Sequence, residues 1–568
     1  MNKNFTEVSP KFKIFLSVLA AFALPFTIAV CGVGEFYLNN SDEFLFVLSD
    51  FWGWSVGIGM IIFVALFLLL YFLKGKAFHV VFFLIMWLTV MSYVQATFLG
   101  FGQGALAADE LIAAVPAGLV ILDTAIWAVT GIGVVCASLF VKDKPTASML
   151  ATVALVMVIA VHGINLTVAL LNSEEKQKND MVLTTESIFE VSDKDNVIVF
   201  LLDRFDIYYY EQVLKQHPGF FEPLDGFTFY DNNISLYSRT YPAVAYMLTG
   251  AENSFVNTRP EYFKQAYKES TFFKDLNENN YKVNLYTSAF YAYDDAAVFG
   301  GLVNNVSKYQ DYVIQNKMKL TCHMLTLSLY RYLPTVCKSM IGISSADFND
   351  FVSFDTENDY SQYVMDDAAT YGMFRETGLS TQSEKNTFTF LHLNGCHSPY
   401  TMDENGNAIE SNNYAHAAIP ATMGCFRLIY DYIDQLKQLG VYENATIIIT
   451  GDHARAMDDT VDVEDARVTA LFVKEKGQAG TPLAYSSAPV CQENLRAEIV
   501  KSAGLKTQSD YGLAFSDIEE NSDIVRKYYF EKSNGDKDEI VIYHVKGNAN
   551  DFSNWTLADR KVIGEIYK

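Results

Sequence analysis

Residues Asn444–Arg455 read NATIIITGDHAR. Within them, Ala445–Thr450 is a short apolar run rich in β-branched residues, the pattern of a strand buried on both faces. The run stops at Gly451, and Asp452 and His453 follow at once. In open α/β sheets, ligands lie beyond the carboxyl ends of the strands. A carboxylate and an imidazole side by side at such a point offer half of a metal site. This pair alone leaves a solvated turn open as the alternative.

The texture upstream and downstream repeats that of the first stretch. Val197–Leu202 (VIVFLL) is a second buried-strand run, and it ends in Asp203. Phe227–Tyr230, Val283–Tyr286, Thr387–Leu393 and Val468–Val473 are further strands by the same pattern. Tyr208–Leu214 and Ala421–Leu439 carry helical apolar spacing, the latter stopping at Gly440. Strands alternating with helices predict an α/β domain around a mostly parallel sheet. Parallel strands present their carboxyl ends at one edge, so Asp203 and the Asp452-His453 pair can converge. Residues 311–384 read as an insertion carrying helices. Asn534-Gly535, between Tyr528–Lys532 and Ile540–Val545, is a hairpin signal.

Between the two acidic strand ends lies Ser238-Arg239-Thr240-Tyr241-Pro242, leading into AVAYMLTG. Pro242 suits the first turn of a helix, which puts Thr240 at or just before its amino terminus. Backbone N–H groups and the positive dipole end there favour a phosphate-like anion. A hydroxyl at that point, held by a divalent metal, can be deprotonated to a nucleophile. A plain helix cap is the alternative.

The first third of the 568-residue chain is different in kind. Ile14–Cys31, Val56–Leu73, His79–Phe98, Ala117–Phe140 and Ala147–Leu171 each approach or exceed the roughly 18–20 apolar residues that cross a bilayer. The first is read as an uncleaved anchor, being long and lacking a small-x-small cleavage site. Lys3, Lys11 and Lys13, then Lys74 and Lys76, then Lys142 and Lys144 occupy alternate ends, while Glu35, Asp50 and Asp109 mark the others. The positive-inside rule makes the amino terminus cytoplasmic and everything after the fifth span extracytoplasmic. Asp123 and His162 lie within spans; one reading is a polar contact between helices or to a lipid headgroup, and the favoured one places Asp123 near the outer interface and leaves His162 neutral and hydrogen-bonded. The expected organisation is residues 1–172 as a five-span membrane domain, 173–195 as a linker and 196–568 as the α/β domain.

Composition excludes some functions. With 66 Asp+Glu against 42 Lys+Arg the formal net charge is −24, which argues against nucleic acid as a partner. Seven scattered cysteines without CxxC spacing make neither a zinc ribbon nor a disulfide framework, although Cys322 and Cys337 could pair.

Three segments carry a resemblance to the alkaline phosphatase and sulfatase superfamily. TYPAVAYMLTG resembles its nucleophile segment, LHLNGCHSPYTM its mid-domain His-x-Pro segment, and MGCFRLIYDYIDQLKQLGVYENATIIITGDHA its long helix and Asp-His strand. The similarity runs from about Asn196 to Leu505 in the family's order. Together with five spans it resembles lipoteichoic acid synthases and, more distantly, phosphoethanolamine transferases. The resemblance implies Thr240 as nucleophile, Asp203, Asp452 and His453 as metal ligands with the Thr240 oxygen completing the shell, and His397 as a contact to the substrate or leaving group. Such an oxygen-rich set with one imidazole suits a single Mn²⁺ or Mg²⁺, with Zn²⁺ also compatible. The implied reaction moves a phospho-headgroup, phosphoglycerol or phosphoethanolamine, from a membrane phospholipid to an envelope polymer or glycolipid. The alternatives are a phosphodiesterase, a sulfatase-like hydrolase, or an inactive binding module.

The departures bear on that choice. Sulfatases need Cys or Ser where Thr240 stands and Arg where Val244 stands, so sulfate-ester hydrolysis is disfavoured. Lipoteichoic acid enzymes have Glu at the position of Asp203, and Ala454 stands where Gly or Ser is frequent. His392 lies on the right strand but is read as pointing to the wrong face.

Overall fold

The strand Ala445–Thr450 lies near the centre of a seven-stranded sheet and is buried along its whole length. The computed structural model describes residues 8–41, 44, 46–100, 117–173, 181–288, 291–292, 296–338, 341, 348, 351–356, 360–455, 468–505, 508–533 and 538–563. Lys3, Asp109 and the Asn534-Gly535 turn lie outside the described residues. By contacts the chain forms two units, residues 1–178 with 312–353, and residues 179–311 with 354–568.

In the second unit the sheet order is Ala484–Ser486, Thr228–Asn233, Thr469–Lys474, Ala445–Thr450, Asn196–Leu202, Asn386–Leu393, Tyr281–Tyr286. Only Thr469–Lys474 runs against its neighbours; the other pairings are parallel. The sheet is therefore mostly parallel, as the buried apolar runs predict. Alternate residues serve opposite faces. Ile198, Phe200, Leu202, Ile447 and Ile449 pack into one core with helices Ile207–Gln216 and Ala418–Gln438. Val197, Val199, Leu201 and Ile448 pack into another with helices Thr240–Thr249, Arg259–Glu269 and Glu493–Ser502. Each fully buried Ile, Leu, Val or Phe contributes roughly 1.5–3 kcal/mol relative to exposure.

Helix Ala418–Gln438 buries Ala421, Thr422, Cys425, Leu428, Ile429, Tyr432 and Leu436, spaced by three and four. Gly440 ends it at φ 74°, with its N–H on Lys437 O (3.1 Å) and that of Val441 on Leu436 O (3.0 Å). At the carboxyl end of the chain, Val525–Ser533, Asp538–Lys546 and Trp555–Ile563 form an antiparallel sheet.

The first unit holds five helices long and apolar enough to cross a membrane: Pro10–Asn39, Trp52–Phe72, Gly75–Phe98, Ala117–Phe140 and Lys144–Asn172. The first contains Pro25, and its next stretch, Phe26–Gly32, winds as a π-helix, where the missing N–H and the ring disturb the regular ladder. Residues 312–353, expected within the α/β domain, join this unit instead, bringing helix Lys317–Tyr332 with them. Ser328 donates to Ile28 O at 2.8 Å and Arg331 to Glu35 at 3.3 Å. Leu320, Met324 and Leu327 of the helix are buried beside these polar anchors. The stretch expected as a linker also contains short strands, Met181–Leu183 and Glu190–Ser192.

Candidate active site

The pairing of two strands creates the site. Asn196–Leu202 and Ala445–Thr450 run parallel with Leu201 opposite Thr450, so the residues that follow, Asp203 and Asp452, emerge at the same edge. Gly451 is required at the crossing: a Cβ there would meet Phe205 O at 2.3 Å. Asp203 is followed by Arg204 at φ 61°, a left-handed conformation uncommon outside glycine. Holding it costs on the order of 1 kcal/mol or more. The turn aims the Arg204 N–H at Asp452 Oδ1, 2.9 Å away.

Thr240 is the first residue of helix Thr240–Thr249, as Pro242 predicts. The preceding Arg239 is extended (φ −135°), and no side chain caps this amino terminus. Thr240 Oγ1 lies 3.2 Å from His453 Nε2 and donates to Asp203 Oδ2 at 3.4 Å. His453 Nε2 is also 3.7 Å from Asp203 Oδ1 and 3.6 Å from Asp452 Oδ2. The other ring nitrogen, Nδ1, faces Ala454 O at 2.7 Å. A carbonyl only accepts, so Nδ1 carries the proton and Nε2 turns a lone pair towards the carboxylates. The amide of Gln492 donates to Asp452 O from the other side and accepts from Leu236 N (2.9 Å).

All four residues are buried: Asp452 is 0% exposed, Asp203 2%, His453 5% and Thr240 9%. Burial, then the neighbouring Asp452 charge, raises Asp203 well above the usual carboxylate range. Burial also lowers His453 to about 4, so its imidazole is neutral at pH 7. Asp203 Oδ1 and Asp452 Oδ2 have no hydrogen-bond partner. Two buried carboxylates with unused oxygens are costly unless a cation neutralises them. One ligand atom from each of Asp203, Asp452 and His453 lies within 4.8 Å of the others, so the group could hold a divalent metal. The donor set fits one.

His392 overturns the reading of its face. It pairs with Leu201, and residues opposite one another share a face, so it sides with Asp203 two positions on. Its Nε2 lies 3.9 Å from Asp203 Oδ2 without a hydrogen-bond partner, while Nδ1 meets Thr287 Oγ1 at 2.9 Å. Burial lowers His392 too, to about 4. His397 is half-buried on the loop after this strand, its Nδ1 2.5 Å from Ser398 O. Its charge bears on both His392 and His453.

Sequence reasoning passed over Asp367, which sets that loop. This buried carboxylate accepts from Asn394 N (2.8 Å) and Gly395 N (2.9 Å) and from the Cys425 thiol (3.2 Å). Burial raises it to about 6. As the first residue of helix Asp367–Thr377, just after the capping Asp366 in the VMDDAAT stretch, it reads as an ordinary first-turn acid, so nothing local distinguishes it.

The profile of the Sulfatase family matches residues 195–501, more than half of the chain. No curated protein matches the sequence. Solved structures with a similar fold include Ps i-CgsB in complex with k-i-k-neocarrahexaose, 16% identical over 64% of this chain and 86% of that one, TM-score 0.40. The lipoteichoic acid synthase LtaP from Listeria monocytogenes is 11% identical over 64% and 86%, TM-score 0.34. The phosphonate monoester hydrolase SpPMH from Silicibacter pomeroyi is 12% identical over 66% and 90%, TM-score 0.37.

Proposed function

The chain belongs to the Sulfatase family, and from that premise we propose that it is a membrane-anchored phosphotransferase acting through a phospho-Thr240 intermediate. Sulfatase-superfamily enzymes are hydrolases or transferases that use a divalent metal. The carrying observation is the Thr240 hydroxyl, 3.2 Å from His453 Nε2 and 3.4 Å from Asp203 Oδ2 at an uncapped helix amino terminus.

Asp203, Asp452 and His453 would hold one Mn²⁺ or Mg²⁺, which when bound lowers the pKa of the neighbouring hydroxyl and neutralises phosphate charge. The helix amino terminus adds backbone N–H groups and a positive dipole for the anion. Thr240 Oγ1 attacks the phosphorus of a phospholipid headgroup in line, and its proton has Asp203 Oδ2 as acceptor. The bond from phosphorus to the diacylglycerol oxygen breaks, and His397 supplies a proton to that oxygen. An acceptor hydroxyl on an envelope polymer or glycolipid then attacks phospho-Thr240 and restores the free hydroxyl. A threonine cannot be oxidised to the aldehyde that sulfate-ester hydrolysis uses in this family, which favours phosphoryl over sulfuryl chemistry. The five apolar helices fit a donor that is itself a membrane lipid.

The test is incubation of the purified full-length protein with labelled phosphatidylglycerol, phosphatidylethanolamine and an aryl sulfate, with and without Mn²⁺ or Mg²⁺. Metal-dependent release of diacylglycerol is expected. Cleavage of the sulfate ester alone would contradict the reading.

A further inference from the structure

The helical unit buries a second group of titratable side chains, unconnected with Thr240. Glu35 on the first span is 4% exposed and lies 3.2 Å from His162 Nδ1 on the fifth and 3.3 Å from Arg331 Nη1. Asp123 is one of only two buried residues on helix Ala117–Phe140, whose neighbours Ile121 and Leu122 are 69% and 50% exposed. Asp123 Oδ2 accepts the Thr335 N–H at 2.5 Å. Consecutive spans alternate in direction, and Glu35, Tyr93, Asp123 and His162 all fall in the halves nearest Asn39, Phe98, Ala117 and Asn172. They therefore share one level of the bundle, and residues 328–338 join them there. Ring centroids of Tyr93 and Tyr332 stand 5.6 and 6.0 Å from that of His162.

What distinguishes this group from a closed structural lock is its unused valence. Among the described residues, His162 Nε2, Tyr332 Oη, Asp123 Oδ1, Thr335 Oγ1 and Lys338 Nζ are buried with no hydrogen-bond partner. His162 is 2% exposed, Tyr332 1%, Asp123 0% and Lys338 5%. Burial lowers Lys338 to about 8, with the Asp123 charge acting in the opposite sense. Buried unpaired polar atoms are costly, and ionisable groups within spans, as Asp123 and His162 are, mark binding sites by default. At this level of an apolar bundle, the polar solute at hand is a lipid headgroup. Glu35 accepts the His162 Nδ1 proton, so Nε2 offers a lone pair. A phosphate accepts from Lys338 and Tyr332, and the hydroxyl or ammonium group beyond it donates to Asp123 and His162.

We propose that His162, Tyr332, Asp123 and Lys338 form a binding site for the phosphate-bearing headgroup of a phospholipid. The site goes beyond the phosphotransfer reading, because it holds the headgroup whether or not Thr240 reacts with it.

The test uses the delipidated full-length protein carrying Thr240→Ala, so that no turnover consumes the probe. Retention of phosphatidylglycerol, phosphatidylethanolamine and diacylglycerol of identical chains is measured by native mass spectrometry, with inorganic phosphate as competitor. Both phospholipids should be retained at least about tenfold more tightly than diacylglycerol, the scale of a charged hydrogen bond. Lys338→Gln and His162→Leu should each lose about tenfold, and inorganic phosphate should not displace the lipid. Should His162→Leu fail to fold because Glu35 loses a partner, Lys338→Gln decides, since Lys338 Nζ has no hydrogen bond to lose. Equal retention of diacylglycerol, unchanged retention in Lys338→Gln, or full displacement by inorganic phosphate would overturn the site. Turnover by protein with native Thr240 is read separately, so failure of one reading is distinct from failure of the other.

Discussion

Thr240 Oγ1 and His453 Nε2 lie 3.2 Å apart across 213 residues of sequence. One stands at the start of a helix and the other just beyond the end of a central strand, and the adjoining strand supplies Asp203. This contact joins the Thr240 hydroxyl to the three groups that could hold a metal.

Metal content is the first consequence. One divalent ion per chain should be found by elemental analysis of the full-length protein loaded with Mn²⁺. Asp452→Asn should weaken retention by about a hundredfold or more, since outer-shell partners alone are worth ten- to hundredfold. Full occupancy in that variant would remove Asp452 from the site.

Gly451 offers a test of the scaffold. An added Cβ meets Phe205 O at 2.3 Å and Phe205 N at 2.9 Å, backbone atoms that cannot swing aside. Gly451→Ala should cost about 1–3 kcal/mol of stability and displace Asp452 and His453. A lowered thermal midpoint with reduced metal retention is expected. A variant with wild-type values for both would contradict the crossing.

Asp367 gives a pH dependence with a defined sign. Its folded value of about 6 exceeds the ordinary 3.8. The folded state therefore holds the proton between those values while the unfolded chain does not. The destabilising contribution is complete above about pH 6 and is relieved as pH falls through that window. The full effect is about 3 kcal/mol. Denaturation midpoints at pH 8 and pH 5 should show wild type gaining on Asp367→Asn at the lower pH. Parallel shifts in the two proteins would exclude the effect.

Much of this was legible because burial on both faces of a sheet leaves a plain mark. Val197–Leu202 and Ala445–Thr450 are uninterrupted apolar runs, and the acids after them stand out against that background. Pairing register leaves no such mark. His392 could be placed beside Asp203 only once Leu201 was its known partner. The reversed direction of Thr469–Lys474 was hidden for the same reason, as both orientations bury the same side chains. Ala484–Ser486, three residues long and partly exposed, has no apolar run to reveal it. Residues 312–353 join the spans through the polar contacts of Ser328, Arg331 and Thr335 and the buried Leu320, Met324 and Leu327. A helix with one apolar face between Lys317 and Arg331 carries no mark of which unit it packs on.

The alternating lysines predict the orientation. A reporter fused after Asn172 should read extracytoplasmic and one fused at Lys74 cytoplasmic. Cytoplasmic activity after Asn172 would reverse the compartment of the α/β unit.

Covalent chemistry at Thr240 is the most direct measure of the proposed mechanism. Full-length protein quenched during turnover of a labelled phospholipid should yield a tryptic peptide containing Thr240 with a phosphoryl-linked mass increment. Thr240→Ser should keep some turnover, as only a methyl group is lost. Thr240→Ala should bind metal yet transfer nothing, because the covalent step has no oxygen. Turnover of phospholipid by Thr240→Ala, with no adduct in the wild type, would contradict the mechanism.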